Sequence, residues 1–282
     1  MIKIAIQKSG RLADKSREIL ASCGIKIRRG GKLKAPAINF PLELLYLRDD
    51  DIPRYVSTGV ADLGIVGENV LLEHAPETQV QLRLGFGQCR LSLAVPQGTA
   101  YTGLDWWKGK RVACSYPNLL RSYFSESGID ASVNYLSGSV EIAPSIGLAD
   151  GICDIVSTGS TLQLNGLKEV QKILRSEAVL ISSPDLSTDQ QELRDKLVYR
   201  LESVLYAKRN KYILLNAPNR ALDKIQAILP GMRSPTVMPL ATEGWSSVHS
   251  VIPEDSFWEI IDELRAEGAE GILICPIEKM LL

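Results

Sequence analysis

The sequence contains little cysteine and almost no histidine. Its five cysteines are odd in number and form no C-x-x-C pair, and its two histidines, His74 and His249, stand far apart. The cysteines are Cys23, Cys89, Cys114, Cys153 and Cys275. This usage excludes a disulfide-framed secreted module and disfavours a histidine-rich metal site, so we expect free thiols in a reducing compartment.

The chain also lacks an excess of charge and any long apolar run. It carries 32 Lys+Arg against 33 Asp+Glu, with 45% hydrophobic residues among 282. This balance does not suggest nucleic-acid binding, but it leaves room for a local cationic cleft. The apolar runs are too short to cross a bilayer, and "MIKIAIQKSGRL" lacks the apolar core and cleavage site of a signal peptide. We therefore expect a cytoplasmic protein of two or three domains that binds neither nucleic acid nor a membrane.

Short apolar strands alternate with helical patterns along most of the chain. A strand at Ile2–Ile6, the turn "QKSGR" and an amphipathic helix come first, followed by strands at "ELLYLR", "ADLGIVG" and "CRLSLAVP". A second series contains "RVACSYP", a helix from Asn118 to about Ser127, "NYLSGS", a helix from about Val140, "CDIV" and "EAVLISSP". This alternation predicts an α/β fold with mainly parallel strands.

The last part of the chain has a different order of elements. After a long helix predicted from about Asp189 to Arg209, strands are predicted at "KYILLNAP", "SPTVMPLAT", "WSSVHSVIP" and "AEGILICPI". Helical patterns separate the first strand from the second and the third from the fourth. The order βαββαβ predicts a ferredoxin-like unit, and the segment from about Lys208 to Leu282 is long enough to be a separate domain.

Two segments of the sequence align with each other without gaps. They are "GVADLGIVG" (59–67) and "GICDIVSTG" (151–159), with glycine at both ends and aspartate, Asp62 or Asp154, at the fourth position. Each is predicted to lie where a strand ends. Either two buried strands are similar by chance, or two similar lobes present equivalent turns across one cleft, where ligands usually bind.

Five consecutive small residues follow the strand "CDIV" and precede a helical pattern. They are Ser157, Thr158, Gly159, Ser160 and Thr161. Ligands of open α/β sheets bind beyond the carboxyl ends of the strands, where a helix N-terminus offers unpaired N–H groups to a phosphate. The segment therefore predicts a phosphate cradle, with Asp154 placed to accept from sugar hydroxyls; the alternative is a plain helix-capping turn. Neither G-x-x-x-x-G-K-[ST] nor G-x-G-x-x-G occurs, which excludes the two common nucleotide fingerprints.

The segment around this turn resembles the signature of the ATP phosphoribosyltransferase family, the first enzymes of histidine biosynthesis. In "EIAPSIGLADGICDIVSTGSTL" (141–162) the signature's Glu, Gly-x-small segment, strand Asp and Ser/Thr-Gly-x-Thr turn all match. Other segments similar to that family run from end to end: "AIQKSGRL", "RDDDIP", "GVADLGIVGENVL", "CRLSLA", "SYPNLL", "GSVEIAP", "PTVMPL" and "PIEKM". The C-terminal part resembles the long form, which carries its own regulatory domain.

The resemblance implies a fold and a reaction. It implies a two-lobed catalytic part similar to periplasmic binding proteins and a C-terminal ferredoxin-like regulatory domain. We expect lobe I at 1–95 and 178–207, lobe II at 96–177 and the regulatory domain at 208–282. In this family adenine N1 of ATP attacks C1 of 5-phosphoribosyl 1-diphosphate (PRPP) and diphosphate leaves, with Mg²⁺ assisting; the sequence does not identify the Mg²⁺ ligands. The family forms dimers and hexamers, so a homo-oligomer is expected.

The resemblance also implies roles for individual residues. Ser157 to Thr161 would hold the 5-phosphate of PRPP, and Glu141 and Asp154 its ribose hydroxyls, these two forming the catalytic set together with Arg11. The residues expected to contact ATP are Lys8, Arg11, Arg48, Glu68, Asn69 and Tyr116.

Several of these residues have plainer alternatives. Lys8 and Arg11 could be solvated turn charges, Glu68 a helix-start acid and Tyr116 a turn aromatic. Arg48 could pair with the aspartates that follow it. A lone arginine on a strand, such as Arg90, is commonly a structural ion pair.

By the same resemblance L-histidine would inhibit by binding the C-terminal domain at Asn216, Met232, Thr236 and Gly271, which could instead be ordinary turn and packing residues. Two other functions stay open. A binding protein with the two-lobed fold is disfavoured by the absence of a signal-peptide pattern. A catalytically inactive regulatory subunit is disfavoured by the intact Glu141, Asp154 and turn of residues 157–161 (the hydroxyl turn).

Overall fold

The computed structural model describes residues 1–28, 33–229 and 234–281. It divides into two compact units, Met1–Val198 and Tyr199–Leu282. The elements of the first unit are β1 (Ile2–Gln7), α1 (Arg11–Ser22), β2 (Lys34–Pro36), β3 (Leu42–Leu47), α2 (Ile52–Ser57), β4 (Leu63–Gly67), α3 (Glu68–His74), β5 (Gln79–Arg83), β6 (Cys89–Pro96), β7 (Arg111–Cys114), α4 (Pro117–Glu126), β8 (Ser132–Tyr135), β9 (Gly151–Val156), α5 (Ser160–Leu164), β10 (Leu167–Ser176) and β11 (Ala178–Ser182). Helix α6 (Thr188–Lys208) crosses the division between the units, and no helix of the described residues is long and apolar enough to span a membrane.

The first sheet has the strand order β2-β3-β1-β4-β11-β5. Strands β3, β1 and β4 are parallel, while β11 runs antiparallel to both β4 and β5. Ile2, Ile4 and Ile6 of β1 are fully buried, as expected for an apolar central strand covered on both faces. The prediction of mainly parallel pairing is wrong, because β11 returns from the second sheet in the opposite direction and β2 forms an antiparallel pair with β3.

The second sheet has the order β10-β6-β9-β7-β8. It corrects the predicted lobe I range of 1–95, since β6 (Cys89–Pro96) pairs with β9 and β10 here and not with the first sheet. The apolar pattern of β6 would be the same in either sheet. Only its pairing with strands distant in the sequence therefore determines which sheet it joins. The helix predicted from about Val140 is a single 3-10 turn at Val140–Ile142, because Pro144 and Gly147, with its φ of 75°, interrupt a continuous helix.

The second unit forms one antiparallel sheet with two helices. Its elements are the end of α6, β12 (Asn210–Pro218), α7 (Leu222–Ile228), β13 (Thr236–Pro239), β14 (Trp245–Pro253), α8 (Phe257–Ala266) and β15 (Glu270–Pro276). The order β13-β14-β12-β15 is that of a ferredoxin-like sheet, which confirms the predicted βαββαβ unit. Alternate residues of β12, such as Ile213 and Leu215, pack with Ile225 and Leu264 of the helices.

Candidate active site

The carboxyl ends of three parallel strands bring predicted residues to one edge of the first sheet. Lys8 follows β1, Arg48 follows β3 and Glu68 follows β4, while Arg11 is the first residue of α1. The side chains of Lys8, Arg11 and Arg48 are exposed, and none of the three has an ion pair with another described residue. The alternative for Arg48, an ion pair with the aspartates that follow it, is therefore not found in the described part of the chain.

The hydroxyl turn lies between β9 and α5, as predicted. Gly159 is the N-cap residue of α5 and has a φ of 88°, a left-handed conformation that favours glycine. The hydroxyls of Thr158 and Ser160 lie 3.0 Å apart, and Ser157, Thr158, Ser160 and Thr161 are all exposed. No other described residue accepts a hydrogen bond from the backbone N–H groups of Thr158 and Gly159. The turn thus presents free N–H and O–H donors to solvent.

Asp154 and Glu141 lie close enough to influence each other. Asp154 is on β9, opposite Ser92 of β6, and accepts a 2.8 Å hydrogen bond from the backbone N–H of Ile155. Burial raises the pKa of Asp154, and the negative charge of Glu141 raises it further. Glu141 is held by the 3-10 turn at Val140–Ile142. Two predicted carboxylates therefore sit together beside the strand that leads into the hydroxyl turn.

Tyr116 links a segment that follows a strand of the second sheet to a helix that follows a strand of the first. It immediately precedes α4, and its hydroxyl accepts a 3.0 Å hydrogen bond from Nδ2 of Asn69, the second residue of α3. Burial raises the pKa of Tyr116, with a smaller effect from the negative charges of Asp154, Asp49 and Asp50. The charges of carboxylates from both sheets therefore act on the Tyr116 hydroxyl.

Asn69 and Glu68 are engaged within the protein. Asn69 is 4% exposed, its Oδ1 accepts from the Ser176 hydroxyl at 2.8 Å, and its backbone N–H donates to the same hydroxyl at 2.9 Å. Glu68 accepts two hydrogen bonds from the guanidinium of Arg83, which also contacts Glu177 at 3.3 Å. Asn69 thus orients Tyr116, and Glu68 belongs to a preformed ion-pair cluster.

A polar cleft of about 470 Å³ joins the two sheets at the strands that cross between them. Glu68 and Arg83 line it from the first sheet, and Arg90 and Ser157 line it from the second. Its remaining lining residues are Gln88, Cys89, Lys172, Arg175, Ser176 and Glu177. Residues of both predicted lobes therefore face one cavity rich in cationic groups, which suits an anionic ligand.

Sequence reasoning did not single out Asp49, which starts the 3-10 turn Asp49–Asp51 after β3. One of its carboxylate oxygens is buried and has no hydrogen-bond partner among the described residues. Burial, with a contribution from Asp50, raises the pKa of Asp49 from 3.8 to about 6. Three consecutive aspartates after a strand are the only sequence signal for it. A buried carboxyl group with a raised pKa, placed beside Tyr116, is a feature common at functional sites.

Asp49 gives a prediction about stability and pH. The folded protein binds the Asp49 proton more tightly than the unfolded chain, so this group's contribution to the free energy of unfolding is greatest below pH 4 and is lost as pH rises through about 6. The loss amounts to at most about 3 kcal/mol. We expect Asp49→Asn to be more stable than the parent at pH 7.5 and close to it at pH 4, measured by urea unfolding. The exposed neighbour variant Asp51→Asn is the control, because Asp51 does not contribute to the shift of Asp49. A difference for Asp49→Asn that does not change with pH would contradict the assignment.

The predicted effector residues of the second unit lie partly together. Asn216 on β12 and Thr236 on β13 are on the sheet face opposite the one that packs against α7 and α8. Gly271, with a φ of 59°, lies at a register shift beside Asn216, and a Cβ atom there would lie 3.3 Å from the Asn216 amide nitrogen. Met232 lies outside the described residues.

Comparisons with known proteins identify the family. The family model described as ATP phosphoribosyltransferase matches residues 48–203, and the model described as HisG, C-terminal domain matches residues 207–279. An ATP phosphoribosyltransferase of Cytophaga hutchinsonii is 54% identical over 282 residues, covering 100% of this chain and 99% of that protein.

Solved structures agree with this relationship. The ATP phosphoribosyl transferase (HisG:HisZ) complex from Thermotoga maritima matches with a TM-score of 0.65 and 30% identity over 73% of this chain and 98% of that chain. A substrate binding protein of an amino acid ABC transporter, at 11% identity and a TM-score of 0.50, covers 73% of this chain and 93% of its own, and shares the two-lobed fold alone. The chain therefore belongs to the ATP phosphoribosyltransferase family and carries that family's C-terminal domain.

Proposed function

We propose that the cleft between the two sheets binds PRPP at the hydroxyl turn and ATP at the edge of the first sheet. The family relationship makes the chain a pentosyltransferase, an ATP phosphoribosyltransferase that catalyses the first step of histidine biosynthesis. The observation that carries the residue-level proposal is the shared cleft, which Glu68 lines from one sheet and Ser157 from the other.

The hydroxyl turn supplies the groups that a phosphate needs. The N–H groups of Thr158 and Gly159 and the hydroxyls of Ser157, Thr158, Ser160 and Thr161 are donors beyond the end of β9. Small side chains let the 5-phosphate of PRPP approach the backbone closely. Asp154 and Glu141, next to the turn, accept from the ribose hydroxyls.

The edge of the first sheet supplies cations. Lys8, Arg11 and Arg48 are exposed at the ends of β1 and β3 and neutralise the polyphosphate of ATP and the departing diphosphate. Tyr116, held by Asn69, lies between the two groups of residues and contacts the adenine ring. Glu68, oriented by Arg83, completes the nucleotide side of the cleft.

The reaction needs no nucleophile from the protein. Adenine N1 of ATP attacks C1 of PRPP, the bond from C1 to the diphosphate oxygen breaks, and 1-(5-phosphoribosyl)-ATP and diphosphate form. The residues named above hold N1 in line with C1 and stabilise the charge that develops on the leaving group. Positioning and charge neutralisation therefore account for the task of this chain.

We also propose that Mg²⁺ binds together with the diphosphate. Among the described residues no three His, Cys, Asp or Glu side chains are grouped so that they could hold a metal ion. The carboxylates of Asp154 and Glu141 fit Mg²⁺ nonetheless, because this ion usually binds one or two carboxylates together with substrate phosphates. When bound, it would add positive charge to the leaving diphosphate.

The function is tested by mixing the purified protein with ATP, PRPP and Mg²⁺ and following phosphoribosyl-ATP by its absorbance. Omission of either substrate serves as the control. Steady formation of the product supports the proposal. Binding of both substrates by the intact protein without formation of product would instead favour a binding protein or an inactive regulatory subunit.

We further propose that the second unit is a regulatory domain that binds L-histidine. The support is the shared location of Asn216, Thr236 and Gly271 on or beside one open sheet face. Histidine bound there inhibits only if it favours a less active arrangement of domains or subunits, and a coupling of about 1–3 kcal/mol is sufficient.

The effector site predicts a selective loss of histidine binding. Asn216→Ala removes a donor and acceptor beside Gly271, and we expect histidine to bind about ten- to a hundredfold more weakly by calorimetry. Lys224→Ala, exposed on α7 on the helix-covered side, is the control and should bind normally. Equal affinity in both variants, or no binding to the intact protein, would rule out this site.

The remaining proposals concern assembly and location. Cys89, Cys114, Cys153 and Cys275 are free thiols, which fits a cytoplasmic location. We propose a homo-oligomer, a dimer or hexamer, in which the C-terminal domain makes a separate regulatory subunit unnecessary. Size-exclusion chromatography with light scattering, with and without histidine, tests the assembly state.

A further inference from the structure

Arg90 connects the adjacent strands β10 and β6 to the turn that follows β9. It lies at the start of β6, the middle strand of the three. Its Nε and Nη2 donate to the two carboxylate oxygens of Glu169 on β10, each at 2.6 Å. Its Nη1 donates to the backbone carbonyl oxygen of Ser157, at 2.9 Å. One guanidinium therefore ties the outer strand of the sheet to the first residue of the hydroxyl turn.

The ion pair of Arg90 with Glu169 is partly buried and held by several hydrogen bonds. Its side chains are only 25% and 22% exposed, and the Ser92 hydroxyl, itself in a buried residue, donates to Glu169 at 2.8 Å. Arg90 and Ser92 hold the pKa of the Glu169 carboxyl below its usual value, so that it stays ionised. Two-pronged Arg–carboxylate pairs restrict geometry more than single contacts do. The position of Nη1 is therefore fixed before any ligand arrives.

The third contact of Arg90 fixes the direction of donors in the turn. The peptide that joins Ser157 to Thr158 is planar and trans, so its C=O and N–H point in opposite directions. Holding the Ser157 carbonyl toward Arg90 points the Thr158 N–H away from it. The following residue, Gly159, has a φ of 88° and is the N-cap residue of α5. The orientation of the free N–H groups thus depends on a contact that lies behind the turn.

We propose that Arg90, held by Glu169 and Ser92, is a positioning residue that pre-orients the turn from Ser157 to Thr161 for the phosphate. This inference rests on the proposed function, in which that turn binds the 5-phosphate of PRPP. It goes beyond a structural ion pair, because the third bond of Arg90 ends on the carbonyl of Ser157, the first residue of the hydroxyl turn.

The chain contains a matched control for this arrangement. Arg111, on β7 of the same sheet, donates to both carboxylate oxygens of Asp150, and its Nη1 donates to the carbonyl of Gly147 at 3.0 Å. Arg111 has the same contacts but lies at the start of a strand parallel to β9, at the edge away from the hydroxyl turn. Replacing either arginine by lysine keeps the charge and removes the two-pronged geometry.

The experiment compares the full-length variants Arg90→Lys, Glu169→Gln and Arg111→Lys. We expect KM for PRPP to rise about tenfold or more in the first two, with KM for ATP within twofold, and no change of either in Arg111→Lys. NMR relaxation of the ligand-free proteins supplies a reading independent of activity: the backbone amides of residues 158–161 should become more mobile in Arg90→Lys and Glu169→Gln only. Thr158→Val removes a hydroxyl of the turn directly. Its KM for PRPP shows how large an effect the loss of one phosphate contact has.

Each outcome decides the proposal. Unchanged mobility of the turn amides in Arg90→Lys and Glu169→Gln would overturn the positioning role, whether or not the protein turns over. Greater mobility with unchanged KM for PRPP would also overturn it, and would move the phosphate away from the turn. A wild-type protein that makes no product defeats the proposed function, while the relaxation measurement still decides whether Arg90 orders the turn.

Discussion

Replacing Asp154 by asparagine is expected to lower turnover about a hundred- to ten-thousandfold and at the same time to stabilise the folded protein. In the proposed complex the Asp154 carboxylate accepts from ribose hydroxyls, and each such charge-assisted bond is worth about 1.5–3 kcal/mol. Asparagine keeps the shape and an oxygen that can accept from the Ile155 N–H. It loses the negative charge that the ribose and the developing positive charge at C1 require.

The gain in stability follows from the direction of the pKa shift. Burial raises the pKa of Asp154, so the folded protein favours the protonated form, and the group's contribution to stability is lost as pH rises through its folded pKa. At pH 7.5 the parent therefore carries a desolvated carboxylate that the asparagine variant does not. Turnover from the assay of product formation and the midpoint of thermal unfolding at pH 7.5 together measure both effects.

Asp62 is the matched control. It occupies the fourth position of segment 59–67, which aligns with segment 151–159, where Asp154 has the fourth position. It is 7% exposed, and accepts from the Lys3 backbone N–H at 2.6 Å and from Gln190 Nε2 at 2.7 Å. We expect Asp62→Asn to lose about 1–2 kcal/mol of stability and to keep its kinetic constants. A variant Asp154→Asn that is destabilised but turns over normally would make Asp154 a structural residue like Asp62.

Replacing Arg11 by alanine is expected to lower kcat/KM about ten- to a hundredfold or more without harming the fold. Arg11 is exposed at the first position of α1 and has no ion pair with another described residue, so its charge is available to a polyphosphate. Loss of charged hydrogen bonds of about 1.5–3 kcal/mol gives the stated range. Because a cation at a helix N-terminus opposes the helix dipole, the variant should be as stable as the parent or slightly more so.

Two companion variants sharpen the Arg11 test. Arg11→Lys should recover only part of the activity, because a single ammonium lacks the planar fork that matches phosphate. Arg17→Ala, on the same helix and paired with the exposed Asp14, should stay within twofold of the parent. Turnover of Arg11→Ala within twofold of the parent would remove Arg11 from the active site.

The local parts of the fold and site follow from local sequence signals. The strand, hydroxyl turn and helix at Ser157–Thr161, the long α6 and the βαββαβ order each depend on neighbouring residues: periodic apolar positions, glycine at a left-handed cap and short connections. The two aligned segments, 59–67 and 151–159, share a structural role at their final glycines, since Gly67 and Gly159 are both N-cap residues. The similarity does not extend to the surroundings of the aspartate at the fourth position. Asp62 accepts hydrogen bonds from Lys3 and Gln190, whereas the pKa of Asp154 is raised by burial and by the charge of Glu141.

The parts that local sequence could not provide depend on distant partners. Whether β6 joins the first or the second sheet is decided by its pairing with β9 and β10. The network of Asn69 with Tyr116 and Ser176 joins residues 47 and 107 positions apart. Asp49 has a raised pKa because of burial, which composition does not encode. Such contacts are selected by packing of whole sheets and leave no periodic trace.

The central claim is that the turn after β9 binds the 5-phosphate of PRPP while ATP occupies the opposite side of the cleft. A crystal structure of the protein with PRPP and Mg²⁺ tests it most directly. We predict the 5-phosphate within hydrogen-bond distance of the N–H groups of Thr158 and Gly159 and the Thr161 hydroxyl, with the ribose hydroxyls on Asp154 and Glu141. A 5-phosphate bound at Lys8, Arg11 or Arg48, with the turn empty, would contradict the claim.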